Sequence, residues 1–162
     1  MADYRRPLAD RVEVSAPRLA AFVAQILTRL PESIRRRALR SAFDRARDAF
    51  NRGDLEVVFA LFAADVTYSP PPPLHEGGSL QGRGAVFDFW RGIFTRYDEN
   101  TIENLSLDEV SSESFVRRAR LHHRSRTNGE SLDYMIVQIT DLKRGRVARQ
   151  VNILDDPQAT GP

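Results

Sequence analysis

The chain of 162 residues contains no cysteine, and only one of its 24 basic residues is a lysine. The missing thiols exclude disulfide bonds, thiolate metal sites and a cysteine nucleophile, and they fit the cytoplasmic location that we expect. The scarcity of lysine indicates a composition bias rather than a function. No apolar run approaches the roughly 20 residues of a membrane span, and the N-terminus lacks the pattern of a secretory signal. We therefore predict no membrane partner.

Arginine is concentrated in the first third of the chain. Residues 1–52 hold twelve arginines against six acids, and residues 53–162 hold twelve basic residues against sixteen acids. Such asymmetry can indicate nucleic-acid binding. Here the arginines interleave with an apolar stripe, and no reading motif or aromatic platform accompanies them, so a solvated helix face explains them better. We predict no nucleic-acid partner.

Three helices are predicted in the first third. Residues 1–14 carry no clear pattern and are expected to be loosely ordered. Pro17 then lies in the first turn of an amphipathic helix, and we assign residues 1–32 to an N-terminal extension. Ser33 begins a second helix that stops at Gly53, and Asp54 is predicted to cap a short third one.

Strand-like patterns dominate the remainder. A short strand at residues 65–69 is followed by four prolines and a glycine-rich loop, after which Gly84 opens one more helix. Residues 98–112 are predicted to form a polar, alternating strand or strand pair, and three further strands after it are separated by turns at Asn128-Gly129 and Arg144-Gly145. Helices followed by a meander predict an α+β fold, in which a curved antiparallel sheet wraps over the helices and leaves a pocket between them. We expect one domain over residues 33–156 and a disordered tail at 157–162.

A family resemblance is carried by four short segments in a fixed order. They are A-F-N-R-G-D-L at 49–55, A-D-V-T-Y at 64–68, G-R-G-A-V at 82–86 with Trp90 after it, and R-G-R-V-A-R-Q-V-N-I-L-D at 144–155. Together they resemble the SnoaL-like branch of the NTF2-like (nuclear transport factor 2) superfamily. The resemblance implies a cone-shaped α+β fold whose deep end holds a small apolar molecule, with the first helix as an addition.

The strand period determines which side chains face the cone. On the last strand the inward set begins at either Val147 or Ala148. Epoxide hydrolases of the superfamily have a pocket carboxylate at the position of Asn152, which favours the set beginning at Ala148. The predicted ligand-binding residues are then Val66, Tyr68, Trp90, Leu121, His123, Tyr134, Ile136, Gln138, Gln150, Asn152 and Leu154.

The side chains predicted to face the cone include no carboxylate. The epoxide hydrolases use two carboxylates and an arginine, and the resemblance aligns those positions with Leu121, Asn152 and Ala119. Epoxide hydrolysis by that route is therefore not expected. Three scattered histidines without paired acids do not form a metal-binding pattern, and no cofactor motif is found, so we predict neither a metal nor a cofactor.

Two functions remain open for the pocket. The first is a binding or accessory role toward a small hydrophobic molecule. The second is an isomerase, cyclase or dehydratase acting on a polyketide- or steroid-like ketone, with His123 as the general base and Tyr68 or Tyr134 as a hydrogen-bond donor. For His123 the competing interpretation is a hydrogen-bonded histidine of the pocket wall.

The opposite face of the sheet is apolar for a surface that would meet solvent. A stripe of this kind requires cover. We predict a homodimer through this outer face, in line with the family resemblance, and a protein-interaction module is the alternative. The residues assigned to the outer face are Met135, Val137, Ile139, Val147, Val151 and Ile153.

Overall fold

The computed structural model describes residues 6–156. The predicted disordered tail at 157–162 lies outside this range. The helices are α1 (Leu8–Ser15), α2 (Pro17–Leu27), α3 (Glu32–Asn51), α4 (Leu55–Val58) and α5 (Arg83–Arg96). The strands are β1 (Phe62–Ser69), β2 (Leu80–Gln81), β3 (Tyr97–Ser111), β4 (Ser114–Ser125), β5 (Ser131–Lys143) and β6 (Arg146–Leu154).

The six strands form one curved, open sheet in the order β2-β1-β6-β5-β4-β3. Neighbouring strands are antiparallel except β1 and β6, which run parallel. The core lies between the sheet and helices α3, α4 and α5. In it the Phe50 ring meets Trp90 edge-on at 5.1 Å and Phe94 at 5.2 Å between centroids. The predicted α+β architecture is confirmed.

The turn between β5 and β6 is the tight hairpin that the sequence predicted. Arg144 and Gly145 both have positive φ, 53° and 72°, as a type I′ turn requires. A β-bulge follows, because Leu142 pairs with Val147 while Asp141 pairs with Arg149. The extra residue shifts the alternation, so Val147 is buried against the core. Its predicted place on the outer face is therefore wrong.

Ion pairs hold the N-terminal segment in place. The expectation of loose order is wrong for α1, because its Asp10 is 1% exposed and accepts a hydrogen bond from Nη2 of Arg52 at 2.6 Å. Arg6 binds the Asp54 carboxylate at 2.8 Å through Nε. Asp54 consequently makes no side-chain cap at α4, although it occupies the cap position. Long-range charge pairs of this kind leave no local signal in a sequence.

Helix α2 packs closely on the β5–β6 turn. A Cβ atom added at Gly145 would lie 2.0 Å from the backbone oxygen of Ala21. Ala21 is correspondingly buried, whereas Leu19, Phe22 and Val23 on other faces of the helix are exposed. Gly145 is thus required twice, because the turn needs its positive φ and the backbone of α2 needs the space that a side chain would fill.

Candidate functional site

A cavity of about 230 Å³ lies between the concave face of the sheet and helices α2 and α3. Ala38, Ala42 and Ala46 repeat at four-residue spacing on α3, and all three face it. Their short side chains leave space between helix and sheet. Larger apolar side chains complete the helical wall, among them Leu27, Leu39, Phe43, Phe50 and Phe59.

Tyr68 of β1 and Trp90 of α5 form an aromatic part of the wall. The indole Nε1 of Trp90 donates to the Tyr68 hydroxyl oxygen at 2.9 Å, and both side chains are buried. Burial raises the pKa of Tyr68 well above its ordinary value. The hydroxyl group therefore stays protonated and keeps a hydrogen that it can donate.

A row of polar side chains crosses the apolar wall on β4, β5 and β6. Arg117 lies directly opposite Gln138, and Gln138 lies opposite Asn152. Gln138 Nε2 donates to Asn152 Oδ1 at 2.8 Å, and Asn152 Nδ2 donates to a backbone oxygen of β1 at 2.8 Å. One step along the sheet, Gln150 Nε2 donates to Thr140 Oγ1 at 2.9 Å. These bonds fix the orientations of the amides.

Arg117 is the charged member of this row, and it is 7% exposed. Its Nη1 donates to Asn104 Oδ1 at 3.1 Å, and its guanidinium carbon lies 5.2 Å from the centre of the Phe43 ring. Burial lowers the pKa of Arg117 to about 10. The side chain is still protonated at neutral pH, so Arg117 places a positive charge in a mainly apolar wall.

His123 is fully buried but lies behind the cavity wall. Its Nδ1 is 2.7 Å from Asn100 Oδ1, and its Nε2 is 3.0 Å from the Tyr134 hydroxyl. Because an amide oxygen only accepts, Nδ1 carries the proton and Nε2 accepts from Tyr134. Burial lowers the pKa of His123 to about 4. The imidazole is thus neutral, with both ring nitrogens bonded to protein groups.

Seven of the eleven predicted ligand-binding residues lie in the cavity wall. They are Tyr68, Trp90, Leu121, Ile136, Gln138, Gln150 and Asn152. Val66, His123 and Tyr134 face inward but are buried behind the wall. Leu154 is the last residue of β6 and is 43% exposed. A binding role for the wall residues stays a prediction.

The wall also contains three charged residues that were not predicted, Arg117, Glu13 and Arg35. Arg117 precedes Ala119 by two positions on β4, so the alternation that turns Ala119 inward also identifies it. Glu13 reaches the wall from α1, where Nη2 of Arg45 donates to its carboxylate at 2.8 Å. Burial raises the pKa of Glu13. Glu13 had no detectable signal, because α1 itself was not predicted.

Residues 6–156 contain neither a candidate metal site nor a candidate membrane-spanning helix. In this range, no group of three or more histidine, aspartate or glutamate side chains is arranged to hold a metal ion. Over the same residues, no helix is both long and apolar enough to cross a membrane.

The family model of the SnoaL-like domain matches residues 43–150. The match runs from α3 into β6, so it includes Trp90 and the positions of Arg117 and Gln138. It covers more than half of the chain, and the chain belongs to the SnoaL-like domain family, as the four segments predicted. Helices α1 and α2 lie before the matched range. No curated protein matches the chain.

Solved structures with the same fold include proteins of several names. An NTF2-like protein of unknown function from Burkholderia pseudomallei is 25% identical, with a TM-score of 0.61 over 71% of this chain and 88% of its own. A putative polyketide cyclase from Xanthomonas campestris is 20% identical, with a TM-score of 0.60 over 69% and 86%. TerC, co-crystallised with polyporic acid, is 17% identical, with a TM-score of 0.60 over 71% and 89%.

Proposed function

We propose that the cavity binds a small, mainly apolar molecule with a carbonyl or hydroxyl group, and that the protein has a binding or accessory role. The observation that carries this proposal is the cavity of about 230 Å³ with a polar row across an apolar wall. That volume lies below the usual range of small-molecule sites, which starts at roughly 300 Å³. The ligand is accordingly small.

The chemistry of the polar row favours recognition over proton transfer. Gln138 and Asn152 present amides that a bond to each other and a backbone contact hold in place. Amides, a tyrosine hydroxyl and a guanidinium can orient a carbonyl or hydroxyl group, but none of them accepts a proton at neutral pH. Fixed hydrogen-bonding groups in an apolar cavity are what a specific small-molecule site requires.

Relatives of the fold support a small organic ligand. TerC was crystallised with polyporic acid, and two of the similar structures are named putative polyketide cyclases. These proteins are no more than 20% identical to the chain, so the similarity supports a common fold and does not identify a substrate. Their names define the compounds to try first.

A panel of cyclic ketones, hydroxy-ketones and epoxides tests the proposal. Each compound is assayed for thermal stabilisation of the protein and, in parallel, for conversion by chromatography. Stabilisation without conversion is the expected result, because a bound ligand raises the melting temperature by mass action. Turnover of any compound that stabilises the protein would contradict the accessory role.

The second candidate is an isomerase, cyclase or dehydratase acting on a polyketide- or steroid-like ketone. The names of the similar structures favour it, and the raised pKa of Glu13 suits a carboxylate that acts as a base. Tyr68 would donate to the developing oxyanion. The predicted base, His123, would first have to release Tyr134 or Asn100.

A homodimer through the outer sheet face and a cytoplasmic location complete the proposal. On that face Val137 lies opposite Ile153, and Ile139 lies opposite Val151, which creates a continuous apolar patch on β5 and β6. Ile153 is 48% exposed in the single chain. A second copy of the sheet would cover the patch with a surface of the same chemistry.

A further inference from the structure

Arg117 is more deeply buried than Arg35 and Arg52, which are half-buried, and it differs from them in how its charge is balanced. Arg35 donates to Glu109 at 2.9 Å through Nε, and Arg52 donates to Asp10 at 2.6 Å through Nη2. By contrast, no carboxylate within residues 6–156 forms an ion pair with Arg117. Its Nε is buried and has no hydrogen-bond partner in the same part of the chain.

A second buried polar atom without a partner faces Arg117 across the sheet. Gln138 lies opposite Arg117, and directly opposed inward side chains on antiparallel strands have their Cβ atoms about 4.5–5.5 Å apart. The Gln138 amide uses Nε2 to bond Asn152, and its Oε1 finds no hydrogen-bond partner among the described residues. An unsatisfied hydrogen-bond donor and an unsatisfied acceptor thus belong to two neighbouring residues that both line the cavity.

This arrangement is unfavourable for the protein alone. Burial of a charge without a counter-ion is destabilising, and so is burial of an amide oxygen without a donor. The Asn104 oxygen and the face of Phe43 offset part of the penalty at Arg117. What the site still needs is an anionic acceptor beside Nε and a donor beside Oε1.

We propose that the ligand is an organic acid, whose apolar body fills the cavity while its carboxylate or ionised enol oxygen accepts a hydrogen bond from Arg117. The proposal rests on the small-molecule binding function proposed above. A carboxylate oxygen and an ionised enol oxygen are both negatively charged acceptors for Arg117. The experiment therefore includes one pair of probes for each.

Isothermal titration calorimetry with matched probes tests the assignment. The first pair is 2-naphthoate and neutral 2-naphthamide, and the second is 2-hydroxy-1,4-naphthoquinone and its 2-methoxy analogue. The acid of at least one pair is expected to bind more tightly than its neutral partner, and the pair that discriminates identifies the oxygen. Arg117→Gln should weaken binding of that acid about ten- to a hundred-fold, as expected for a charged hydrogen bond. The neutral partner should change less than about threefold.

Two variants separate recognition from a structural role. Arg120→Gln removes an exposed arginine from the outer face of the same strand, and it should leave all four affinities unchanged. Arg117→Met should raise the melting temperature of the free protein, because it removes an unpaired buried charge. A structural arginine would show the opposite, and a fall in melting temperature with equal loss of acid and neutral probes would overturn the proposal.

The remaining outcomes distinguish this proposal from the one on which it rests. Equal binding of each acid and its neutral partner to the unmodified protein would overturn the acid assignment, and the binding function would stand. No heat of binding with any of the four probes would count against both. The comparison of acid and neutral probes needs no variant, so it holds even if an Arg117 substitution fails to fold.

Discussion

Two ionisable side chains on the inner face of β4 are buried in different ways. His123 is neutral, and Asn100 and Tyr134 occupy both of its ring nitrogens. Arg117 is charged and has neither a carboxylate nor a partner at Nε among residues 6–156. The hydrogen bonds of His123 therefore stabilise the folded chain, whereas Arg117 still has a charged donor group that a ligand could bind.

The burial of His123 predicts a loss of stability in acid. The folded chain has a His123 pKa of about 4 against an ordinary value of 6.5. As pH falls, His123 binds a proton in the unfolded chain before it does so in the folded chain. The stability that neutral His123 gives the fold is therefore fully present above pH 6.5 and is lost as pH approaches 4. The free energy of unfolding should fall by about 3 kcal/mol across this window. Urea denaturation at a series of pH values measures it.

His123→Gln should flatten this pH dependence, and His122→Gln provides the control. His122 lies on the outer face, where a hydrogen bond to Asp133 raises its pKa, so its contribution is present at low pH and is lost as pH rises. The acid decline should therefore persist in His122→Gln. A His123→Gln protein that retains the full decline would show that another group causes it. In an assay of conversion, loss of about 10²–10⁴-fold of rate in His123→Gln would instead favour the general base.

At this scale, alternation predicted the inner face of β4 well. Leu121 and His123 are buried as expected, because a period of two is geometric and does not depend on residue type. Arg117 obeys the same period but was missed, since an arginine is assigned to solvent by default. The hydrogen-bond partners of His123 come from β3 and β5, and no local pattern specifies them.

Among the elements of the N-terminal extension, α2 contributes more residues to the cavity wall than α1, which contributes Glu13. Ala24, Leu27 and Thr28 on one side of it contribute to the cavity wall. The helix can approach only because position 145 has no side chain. Its other faces carry exposed apolar residues, so α2 lacks a broad buried apolar stripe.

Gly145→Ala should release α2 from the β5–β6 turn. The new Cβ would lie 2.0 Å from the Ala21 oxygen, which is closer than two non-bonded heavy atoms can approach. Gly129→Ala is a matched control, because Gly129 also has positive φ, 71°, but an added Cβ there meets no atom within 4 Å. Both variants pay about 1–2 kcal/mol for the left-handed backbone. Only Gly145→Ala should show faster tryptic cleavage at Arg18, in the first turn of α2, or at Arg29, just after the helix. Equal cleavage in both variants would contradict the contact between α2 and the turn.

Because of the bulge in β6, the alternation of residues could not predict which side chains of this strand face the cavity. Strict alternation assigns Val147 and Gln150 to opposite faces, yet both line the cavity. The extra residue between them is specified by pairing with β5 and β1, and those pairings are tertiary. Strands β4 to β6 and the turns between them have local signals and were predicted, whereas the two-residue strand β2 lies in the predicted glycine-rich loop and was missed.

For the whole molecule, the apolar patch on the outer face predicts a dimer. Val137→Glu combined with Val151→Glu places like charges in the proposed contact, and it should give a monomer or insoluble protein. Val110→Glu adds the same charge to an exposed apolar residue of β3 and should not change the mass in solution. Light scattering distinguishes these results. An unmodified protein that is monomeric at micromolar concentration would contradict the dimer, and would leave the patch to a different partner.

The central claim is that the space between α3 and the sheet is a binding site. Ala42→Phe places a ring in that space, whereas Ser41→Phe adds the same ring to the exposed side of α3. Calorimetric titration with neutral 2-naphthamide compares the two variants with the unmodified protein. We predict binding weakened about tenfold or more in Ala42→Phe alone, with its melting temperature unchanged or higher. Equal affinity in all three proteins would contradict the account.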